Sequence, residues 1–350
     1  MNKKVAVILG NYKDYVKKYG FECIESIKKQ DYPGEIKVFV YDNETSTESV
    51  EALQKIMPEA ELVLNKKNDG FAKGNNDCIK LALTQGYEYL ILFNMDMIVE
   101  ASAVRKMVEA AEVDEKNAVV QARVMLHPRT DLVNSLGNTT HFLGFGYCVG
   151  YKQKYEGKII GLKEINYPSG SAVLFKRELL EKIGLFDEEF WMYNEDQDIG
   201  WRTWLAGYKC VLAPEAVVYH KYEFSRSVSK YYWMDRNRIL VMLKNYHILT
   251  LLLILPAFLV MEFGLILFSL KSGWFKDKVR IWLYFLNPVK WIYIWQKRQE
   301  VKALRIAKEI DVVKKFAGEI WYQEIDDIKL RLVNPFFSFY WKIVKKLIFW

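Results

Sequence analysis

Carboxylates crowded by aromatic side chains occupy residues 190–202, which read FWMYNEDQDIGWR. The pattern predicts a loop that enters a helix near Asn194. On that helix Asp198 and Arg202 would be i,i+4 neighbours, the spacing at which opposite charges on a helix surface meet. We therefore interpret these two residues as a structural ion pair.

Glu195 and Asp196 fall in the first turn of the same helix, where the helix dipole favours an ionised carboxylate. An ionised carboxylate at the edge of a cleft can act as a general base and take a proton from an attacking hydroxyl. The aromatic neighbours, Trp191 among them, would exclude water and give a sugar ring a platform. The stretch therefore predicts a catalytic base.

Asp42 ends a second apolar run, within VFVYDNET. A carboxylate at this point can accept the imide N–H of a uracil or thymine ring, and Tyr12 could stack on that base. An Asp placed just before a helix can equally cap the helix. The sequence leaves both interpretations of Asp42 open.

Asn94 and Asp96 end a third apolar run, LILFNMDM. Two residues apart on an extended chain, their side chains face the same way. One amide oxygen and one carboxylate could hold a hard divalent ion against a diphosphate. The alternative is a polar strand end that leads into a loop.

Two further motifs could bind a phosphate or a metal. The segment NDGFAKGNN, residues 68–76, is glycine-rich, so its backbone N–H groups could approach a phosphate at the start of a helix. It could also be a plain turn with an Asn cap. His220, in VVYHKY, could be a third metal ligand or a buried structural histidine.

The elements that must position these residues alternate along residues 1–225. We expect helices over residues 14–30, VEALQKIM and GNNDCIKLALTQG, the last closed by Gly86. We expect strands over KVAVILGNY, EIKVFVYDN, AELVLN and YEYLILFNMD. This order predicts an open, mostly parallel sheet. Ligands bind beyond the carboxyl ends of such strands, where polar residues collect at Asn11–Tyr12, Asp42–Asn43, Asn65 to Asn68 and Asn94 to Asp96.

A separate helical region is predicted over residues 226–350. Residues 246–270 are almost wholly apolar and long enough to cross a bilayer, but Pro256 and Glu262 interrupt them. Basic residues flank both sides without the imbalance of a single crossing. We therefore expect a shallow or re-entrant helical hairpin, followed by an interfacial amphipathic helix at NPFFSFYWKIVKKLIFW.

Composition excludes several classes of protein. The chain is 51% hydrophobic and 27% charged, which excludes a disordered protein. Its net charge of +7 favours anionic partners. Because the basic residues adjoin apolar runs, we expect an anionic membrane surface and no nucleic acid. The four cysteines lack C-x-x-C spacing, and the N-terminal apolar run is too short for a signal peptide, so we expect a cytoplasmic location.

These motifs, in this order, resemble the family 2 glycosyltransferases, inverting enzymes of the GT-A fold, and most closely a rhamnosyltransferase-like bacterial subset. The resemblance covers most of residues 3–225, through VAVILGNY, VFVYDN, NDGFAKGNN, FNMD, GSAVLFKRELLEKIGLFDEEFWMYNEDQDIGWR and VVYHKY. It implies a Rossmann-like catalytic domain, 1–225, with a mostly parallel sheet and flanking helices. It also implies a membrane-associating tail, 226–350.

The resemblance assigns roles to individual residues. It implies that Asp196 is the catalytic base and that Asp96, with His220, holds Mg²⁺ or Mn²⁺. Asn94 replaces the first Asp of the family's D-x-D motif, which removes one charge. Gly170, Trp191 and Glu195 would lie on the acceptor side. The donor nucleotide would contact Asn11, Tyr12, Asp42, Asn68, Gly70, Lys73, Asn75 and Asn94.

The expected reaction is transfer of a sugar, with inversion, from a nucleoside-diphosphate donor to a polyprenyl-linked or polysaccharide acceptor. We expect it at the cytoplasmic face of the cell membrane, in polysaccharide or cell-wall biosynthesis, and the tail could also form a homodimer. Two alternatives remain: a sugar nucleotidyltransferase, and a catalytically silent protein that binds glycans or membranes.

Overall fold

The computed structural model describes residues 3–221, 229–321 and 328–350. The predicted domain boundary at residue 225 lies outside the described residues. By their contacts, the described residues fall into two units. The first takes its residues from Met1–Asn138, Cys148–Thr203 and Tyr208–Glu223, and the second from Thr139–Tyr147, Trp204–Gly207 and Phe224–Trp350.

Both strands and helices occur as far as His220, and they alternate as far as the fourth strand. The strands are β1 (Val5–Tyr12), β2 (Ile36–Asn43), β3 (Glu61–Asn65), β4 (Tyr89–Asn94), β5 (Met97–Val99), β6 (Asn117–Leu126), β7 (Val133–Ser135), β8 (Asn138–Thr140), β9 (Gly146–Cys148), β10 (Lys163–Glu164), β11 (Ala172–Lys176) and β12 (Lys209–His220). The helices are α1 (Phe21–Lys28), α2 (Thr47–Ile56), α3 (Gly70–Thr84), α4 (Ala103–Glu112), α5 (Arg177–Ile183) and α6 (Glu195–Leu205). A π-helical turn, Val16–Gly20, precedes α1.

The main sheet has the strand order β10-β12-β6-β11-β4-β1-β2-β3, with β5 beside β12 and β7 beside β6. Strands β3, β2, β1 and β4 are parallel neighbours, whereas β11 runs antiparallel between β4 and β6. The α/β sheet with flanking helices predicted from the sequence is confirmed, but the sheet is mixed rather than mostly parallel, because β5, β7, β10 and β11 each pair antiparallel with a neighbour.

Continuous apolar runs form the central strands because helices cover both faces of the part of the sheet where β1 to β4 run parallel. In β1, the side chains of Val5, Val7 and Leu9 belong to one buried cluster with Ile24 of α1 and Met107 of α4. Helix α3 packs against β1 and β2. The carboxyl ends of these buried strands are therefore held rigidly at one edge of the sheet.

Helix α3 begins earlier than the sequence pattern predicts. It starts at Gly70 rather than Gly74, so the predicted glycine-rich loop is a loop only as far as Asp69. The predicted stop is confirmed: α3 ends at Thr84, and Gly86 follows with φ of +83°, an angle that glycine adopts without a steric penalty.

The described part of the second unit is largely helical. Its helices are α7 (Ser229–Asn245), α8 (Ile248–Lys271), α9 (Phe275–Leu286), α10 (Pro288–Leu304), α11 (Glu309–Val313) and α12 (Ile328–Leu347). The hairpin expected within residues 246–270 is not formed there, because α8 is one continuous helix with Pro256 inside it. Glu262 does not interrupt α8, since Arg238 and Lys278 neutralise its charge. The chain turns only after α8, at Gly273.

Candidate active site

Polar residues at the ends of four parallel strands lie along one edge of the sheet. The register places Tyr12 opposite Asn43, and Asn43 opposite Asn65. Gly10 lies opposite Asn94 on the other side of β1. Ligands of open α/β sheets bind at this edge. The structure therefore brings together the strand ends that the sequence predicts to bind a donor.

Asp42 is fully buried at this edge. Its two carboxylate oxygens accept hydrogen bonds from Asn11 Nδ2 and from Ser49 Oγ, each at 2.6 Å. Ser49 also completes the capping box of α2 with Ser46. Asp42 therefore ties β1 and β2 to the start of α2, close to the capping role left open by the sequence. Contact between Asp42 and a nucleotide base stays a prediction.

Asn11 and Tyr12 have different environments at the end of β1. Asn11 is buried, and its Oδ1 accepts a hydrogen bond from Val16 N at 2.8 Å. Both ends of the Asn11 amide are therefore hydrogen-bonded, Nδ2 to Asp42 and Oδ1 to Val16. Tyr12 is only half-buried, and Lys13 Nζ lies 4.9 Å from the centre of its ring. Stacking of a base on Tyr12 stays a prediction.

Asn68 and Gly70 belong to a network of side-chain amides. Asn68 Oδ1 accepts hydrogen bonds from Asn43 Nδ2 at 3.2 Å and from Gly70 N at 3.0 Å. Asn43 Oδ1 accepts from Asn65 Nδ2 at 3.1 Å. This network fixes the loop that leads into α3.

Lys73 and Asn75 lie inside α3 rather than in the predicted phosphate-binding loop. Asn75 is buried, and its Nδ2 donates to Phe71 O at 2.9 Å and to Tyr41 Oη at 3.3 Å. Lys73 Nζ pairs with Asp77 at 2.5 Å. The loop geometry that motivated these two assignments is therefore wrong. Lys73 would have to leave Asp77 to reach a phosphate.

Trp191 covers the start of α3. Its carbonyl oxygen accepts hydrogen bonds from Phe71 N at 2.8 Å and Ala72 N at 3.2 Å. A Cβ atom on Gly70 would lie 2.5 Å from Trp191 Cδ1, and Gly70 has φ of +83°. Only glycine allows this approach. Trp191 thus packs on the start of α3, which includes Gly70 of the predicted donor side, whereas the resemblance implies an acceptor-side role for Trp191.

The backbone that leads into α6 is strained. Trp191, Tyr193 and Asn194 have φ of +60°, +70° and +66°, angles that non-glycine residues rarely adopt. Each costs about 1–3 kcal/mol, and such strain clusters at functional sites held by their surroundings. The hydrogen bonds from Phe71 N and Ala72 N to the Trp191 carbonyl oxygen hold this strained backbone in place. The strained segment leads directly to Glu195 and Asp196.

Strand β11 brings Asp196 to the same edge. Because β11 runs antiparallel to β4, its start lies beside the end of β4, and Ser171 O accepts a hydrogen bond from Asn94 N at 3.0 Å. The preceding residue, Gly170, donates its N–H to Asp196 Oδ2 at 3.3 Å. The predicted base is therefore connected to the end of β4 by two hydrogen bonds and one peptide unit.

Glu195 and Asp196 differ in exposure. Asp196 is partly exposed, and burial raises its pKa to about 6 despite hydrogen bonds from Gly170 N and Gln197 N. Glu195 is buried, its Oε2 has no partner among the described residues, and burial followed by the charge of Asp196 raises its pKa well above the usual range. Burial therefore outweighs the helix dipole at Glu195, whereas Asp196, with a pKa of about 6, stays ionised at neutral pH as expected. Glu195 is a core residue in this structure, not an exposed acceptor contact.

Asp198 and Arg202 form the predicted ion pair, at 2.8 Å, and both side chains are buried. Arg202 also donates to the carbonyl oxygens of Ile183 at 2.6 Å and Leu185 at 2.9 Å. The pair therefore anchors α6 to the chain after α5, and its structural interpretation is confirmed.

Asp96 and His220 meet although 124 positions separate them in the sequence. Strand β12 pairs with β5, and His220 Nε2 lies 3.1 Å from Asp96 Oδ1. His220 Nδ1 lies 3.1 Å from Asn134 Oδ1. An amide oxygen only accepts hydrogen bonds, so Nδ1 carries the proton. In that tautomer, Nε2 is the ring nitrogen that could bind a cation beside Asp96 Oδ1.

Asn94 and Asp96 do not lie on one extended strand. Strand β4 ends at Asn94, and Met95 and Asp96 form a turn into β5. The two side chains therefore lack the extended geometry predicted for them, and the partner of Asp96 is His220 instead. A role for the half-buried Asn94 in binding the donor stays a prediction.

Asp96 and His220 fit a cation that is shared with a substrate. Within residues 3–221, 229–321 and 328–350, no group of three His, Cys, Asp or Glu is arranged to hold a metal. One carboxylate and one imidazole leave most of the coordination shell open. Mg²⁺ bound to nucleotide phosphates commonly takes one or two protein ligands and completes its shell with phosphate oxygens and water.

Asn134 is a residue that the sequence analysis missed. It lies in the short strand β7, is buried, and belongs to no motif. Its contact with His220 Nδ1 is what singles it out, because the partner of one ring nitrogen sets the tautomer in which the other could bind a metal.

Substituting Asn134 with Ala is therefore expected to weaken Mn²⁺ binding about 10–100-fold. Titration of Mn²⁺ followed by electron paramagnetic resonance measures this affinity without turnover. Asn138→Ala is the matched control, since Asn138 is equally buried but bonds to Ser135 and Pro168. Equal affinities of the two variants would contradict the role of Asn134.

Comparison with known proteins gives the family. The family model described as Glycosyl transferase family 2 matches residues 10–184, half of the chain. An N-acetylglucosaminyl-diphospho-decaprenol L-rhamnosyltransferase of Mycobacterium tuberculosis is 40% identical over 58 residues, which are 17% of this chain and 19% of that enzyme. The alignment thus spans about a fifth of the relative.

A solved structure with a TM-score above 0.5 shares the fold. GalNAc-T7 with UDP, GalNAc and Mn²⁺ superposes with a TM-score of 0.54 at 13% identity, over 70% of this chain and 48% of that chain. TarS of S. aureus in complex with UDP gives 0.48 at 16% identity, over 98% of this chain and 90% of that chain. From the family match and the sheet described above, this chain belongs to glycosyl transferase family 2 and has the GT-A fold.

Proposed function

We propose that the protein transfers a sugar from a nucleoside-diphosphate donor to a hydroxyl group, with inversion at the anomeric carbon. The observation that carries this proposal is the connection of Asp196, through Gly170 and Ser171, to the sheet edge of Asn94 and Asp96. A base and a diphosphate-binding edge are the two parts that such a reaction needs.

Asp196 is the base in this mechanism. Its carboxylate takes the proton of the acceptor hydroxyl, whose oxygen attacks the anomeric carbon from the face opposite the leaving diphosphate. The pKa of about 6 leaves Asp196 ionised at neutral pH but basic enough to accept a proton. The backbone N–H of Gly170 orients the carboxylate.

Asp96 and His220 would hold the divalent cation, with Asn134 orienting His220. When bound, Mg²⁺ or Mn²⁺ supplies positive charge that stabilises the departing diphosphate. The presence of Mn²⁺ and UDP in the GalNAc-T7 structure supports this part of the proposal.

The acceptor we propose is a polyprenyl-linked glycan, used at the cytoplasmic face of the cell membrane. The support is the resemblance of 58 residues to an enzyme whose name specifies a decaprenol-linked diphosphate substrate. A deoxyhexose such as rhamnose is the corresponding donor sugar.

A thermal-shift screen tests donor binding. UDP-, dTDP- and GDP-sugars are each added with and without Mn²⁺; a donor at 100 times its Kd stabilises the fold by about 2.7 kcal/mol. We expect one nucleotide class to raise Tm, with a Mn²⁺-dependent part that Asp96→Ala removes. If no nucleotide sugar raises Tm, the proposal is wrong.

Activity assays with the same protein distinguish the two alternative functions. A sugar nucleotidyltransferase would release pyrophosphate from a sugar 1-phosphate and a nucleoside triphosphate. A catalytically silent protein would bind a donor without hydrolysing or transferring its sugar. We expect neither result, but transfer to a polyprenyl-diphosphate acceptor.

A further inference from the structure

Helix α8 has one exposed and one buried face. Large apolar side chains recur on its exposed face at spacings of three and four residues, and each is 44–64% exposed: Leu252, Leu255, Leu259, Phe263, Leu267 and Leu270. We call these six residues the α8 stripe. The opposite face is buried, at Thr250, Ile254, Ala257 and Met261. By length and composition alone, α8 is the one helix of the described chain that could cross a membrane. Its one-sided burial is instead typical of a helix that lies on a surface.

Three buried charges and the partly buried Glu262 of α8 join this helix to its neighbours. Lys278 Nζ lies 2.7 Å from Asp235 and 2.6 Å from Glu262. Arg238 pairs with Asp235 at 2.8 Å and also with Glu262. We call Asp235, Arg238, Glu262 and Lys278 the four-charge cluster. It joins α7, α8 and α9 near the middle of α8, and its formal charges cancel.

The four-charge cluster argues against a transmembrane α8. Lys278 of α9 sits level with Glu262, and Lys276 and Arg280 beside it are exposed. If α8 crossed a bilayer, these exposed charges would enter the hydrocarbon, where charged side chains occur almost only when they face a protein interior. An in-plane α8 leaves them in the aqueous headgroup region.

Helix α12 has a second exposed apolar face next to α8. Tyr340 Oη donates to Leu253 O at 2.6 Å, so the two helices touch. Phe337, Trp341 and Val344 are buried, whereas four apolar side chains on another face of α12 are exposed: Phe336, Phe339, Ile343 and Leu347. Residues 333–350 contain three lysines and no acidic residue. That charge is complementary to anionic headgroups.

We propose that the protein binds an anionic phospholipid bilayer through the α8 stripe and the exposed face of α12, with α8 in the plane of the interface and not across it. The anionic bilayer is thus the binding partner that would keep the protein at the membrane, and this inference rests on the membrane location in the proposed function. Its tests need neither donor nor acceptor, so either proposal can fail without the other.

Flotation of the full chain with lipid vesicles tests the docking. We expect binding to phosphatidylcholine vesicles that contain phosphatidylglycerol to be at least about tenfold stronger than binding to phosphatidylcholine alone. Phe263→Glu and Phe339→Glu should each weaken it about tenfold or more, while Ile160→Glu, at a 95% exposed residue of the first unit, should not. Equal binding by all variants, or no dependence on anionic lipid, would overturn the proposal.

A cysteine added at one end of α8 or at the other tests the orientation of the helix. Variants His247→Cys and Ser272→Cys, at exposed residues that lie off the α8 stripe, are bound to preformed vesicles and treated with a membrane-impermeant maleimide. Three of the native cysteines, Cys23, Cys78 and Cys210, are buried, and the unsubstituted chain corrects for background. We expect both ends to react from outside. Protection of one end until detergent is added would show a crossing helix and refute the in-plane arrangement.

Discussion

Asp196→Asn is expected to lower kcat about 10²–10⁴-fold, the usual contribution of general base catalysis. Asparagine keeps the shape of the side chain and the hydrogen bond from Gly170 but cannot accept the proton. Donor binding and folding should be unchanged, because burial already disfavours the charge that the substitution removes. Transfer rates and donor-induced thermal shifts, measured together, separate lost chemistry from lost binding. Near-normal transfer by this variant would remove Asp196 as the base.

The same assignment predicts the pH profile. The base works when it is ionised, and burial raises the pKa of Asp196 to about 6. The rate of transfer should therefore be level above that pH and fall about tenfold per unit below it. Glu195→Gln is the comparison, because burial favours the protonated form of Glu195, which glutamine resembles. A smaller rate loss is expected for this variant than for Asp196→Asn.

Glu262→Leu is expected to destabilise the second unit by about 3–5 kcal/mol, because it leaves the buried Arg238 and Lys278 with a single carboxylate. Chemical denaturation followed by tryptophan fluorescence measures the loss, since Trp274 is buried beside α9. Adding Lys278→Met should recover part of that stability by restoring the balance of charge.

Glu300→Leu is the control for this effect. Glu300 forms an i,i+3 pair with Lys297 at 2.8 Å, but its side chain is 61% exposed. The change should stay within about 0.5 kcal/mol. Similar losses of stability for Glu262→Leu and Glu300→Leu would mean that the four-charge cluster contributes no more to stability than an exposed ion pair.

Elements of strong local pattern were predictable. The strands that become β1 to β4 are continuous apolar runs ending in polar residues, and Gly86 stops α3 where its backbone angle requires glycine. The Asp198–Arg202 pair was also predictable, since it depends only on helical spacing. Local sequence contains all the information that these features need.

Other local predictions failed where tertiary contacts overrule local pattern. Gly70 starts α3 because the carbonyl of Trp191, 121 residues later in the chain, accepts hydrogen bonds from the first turn of the helix. Residues 246–270 form one helix because partners on α7 and α9 neutralise Glu262. These interacting residues lie outside the segments that they affect, so the pattern of each segment does not predict them.

The sequence by itself determined the class of the sheet, the four polar strand ends and the residue types available for a base and a cation. Only the tertiary structure decided which of them meet. Pairing of β12 with β5 brings His220 to Asp96, antiparallel β11 brings Gly170 to Asp196, and burial makes Glu195 differ from its neighbour. Distance and desolvation depend on the packing of segments far apart in the chain, and these two quantities set pKa values and metal binding.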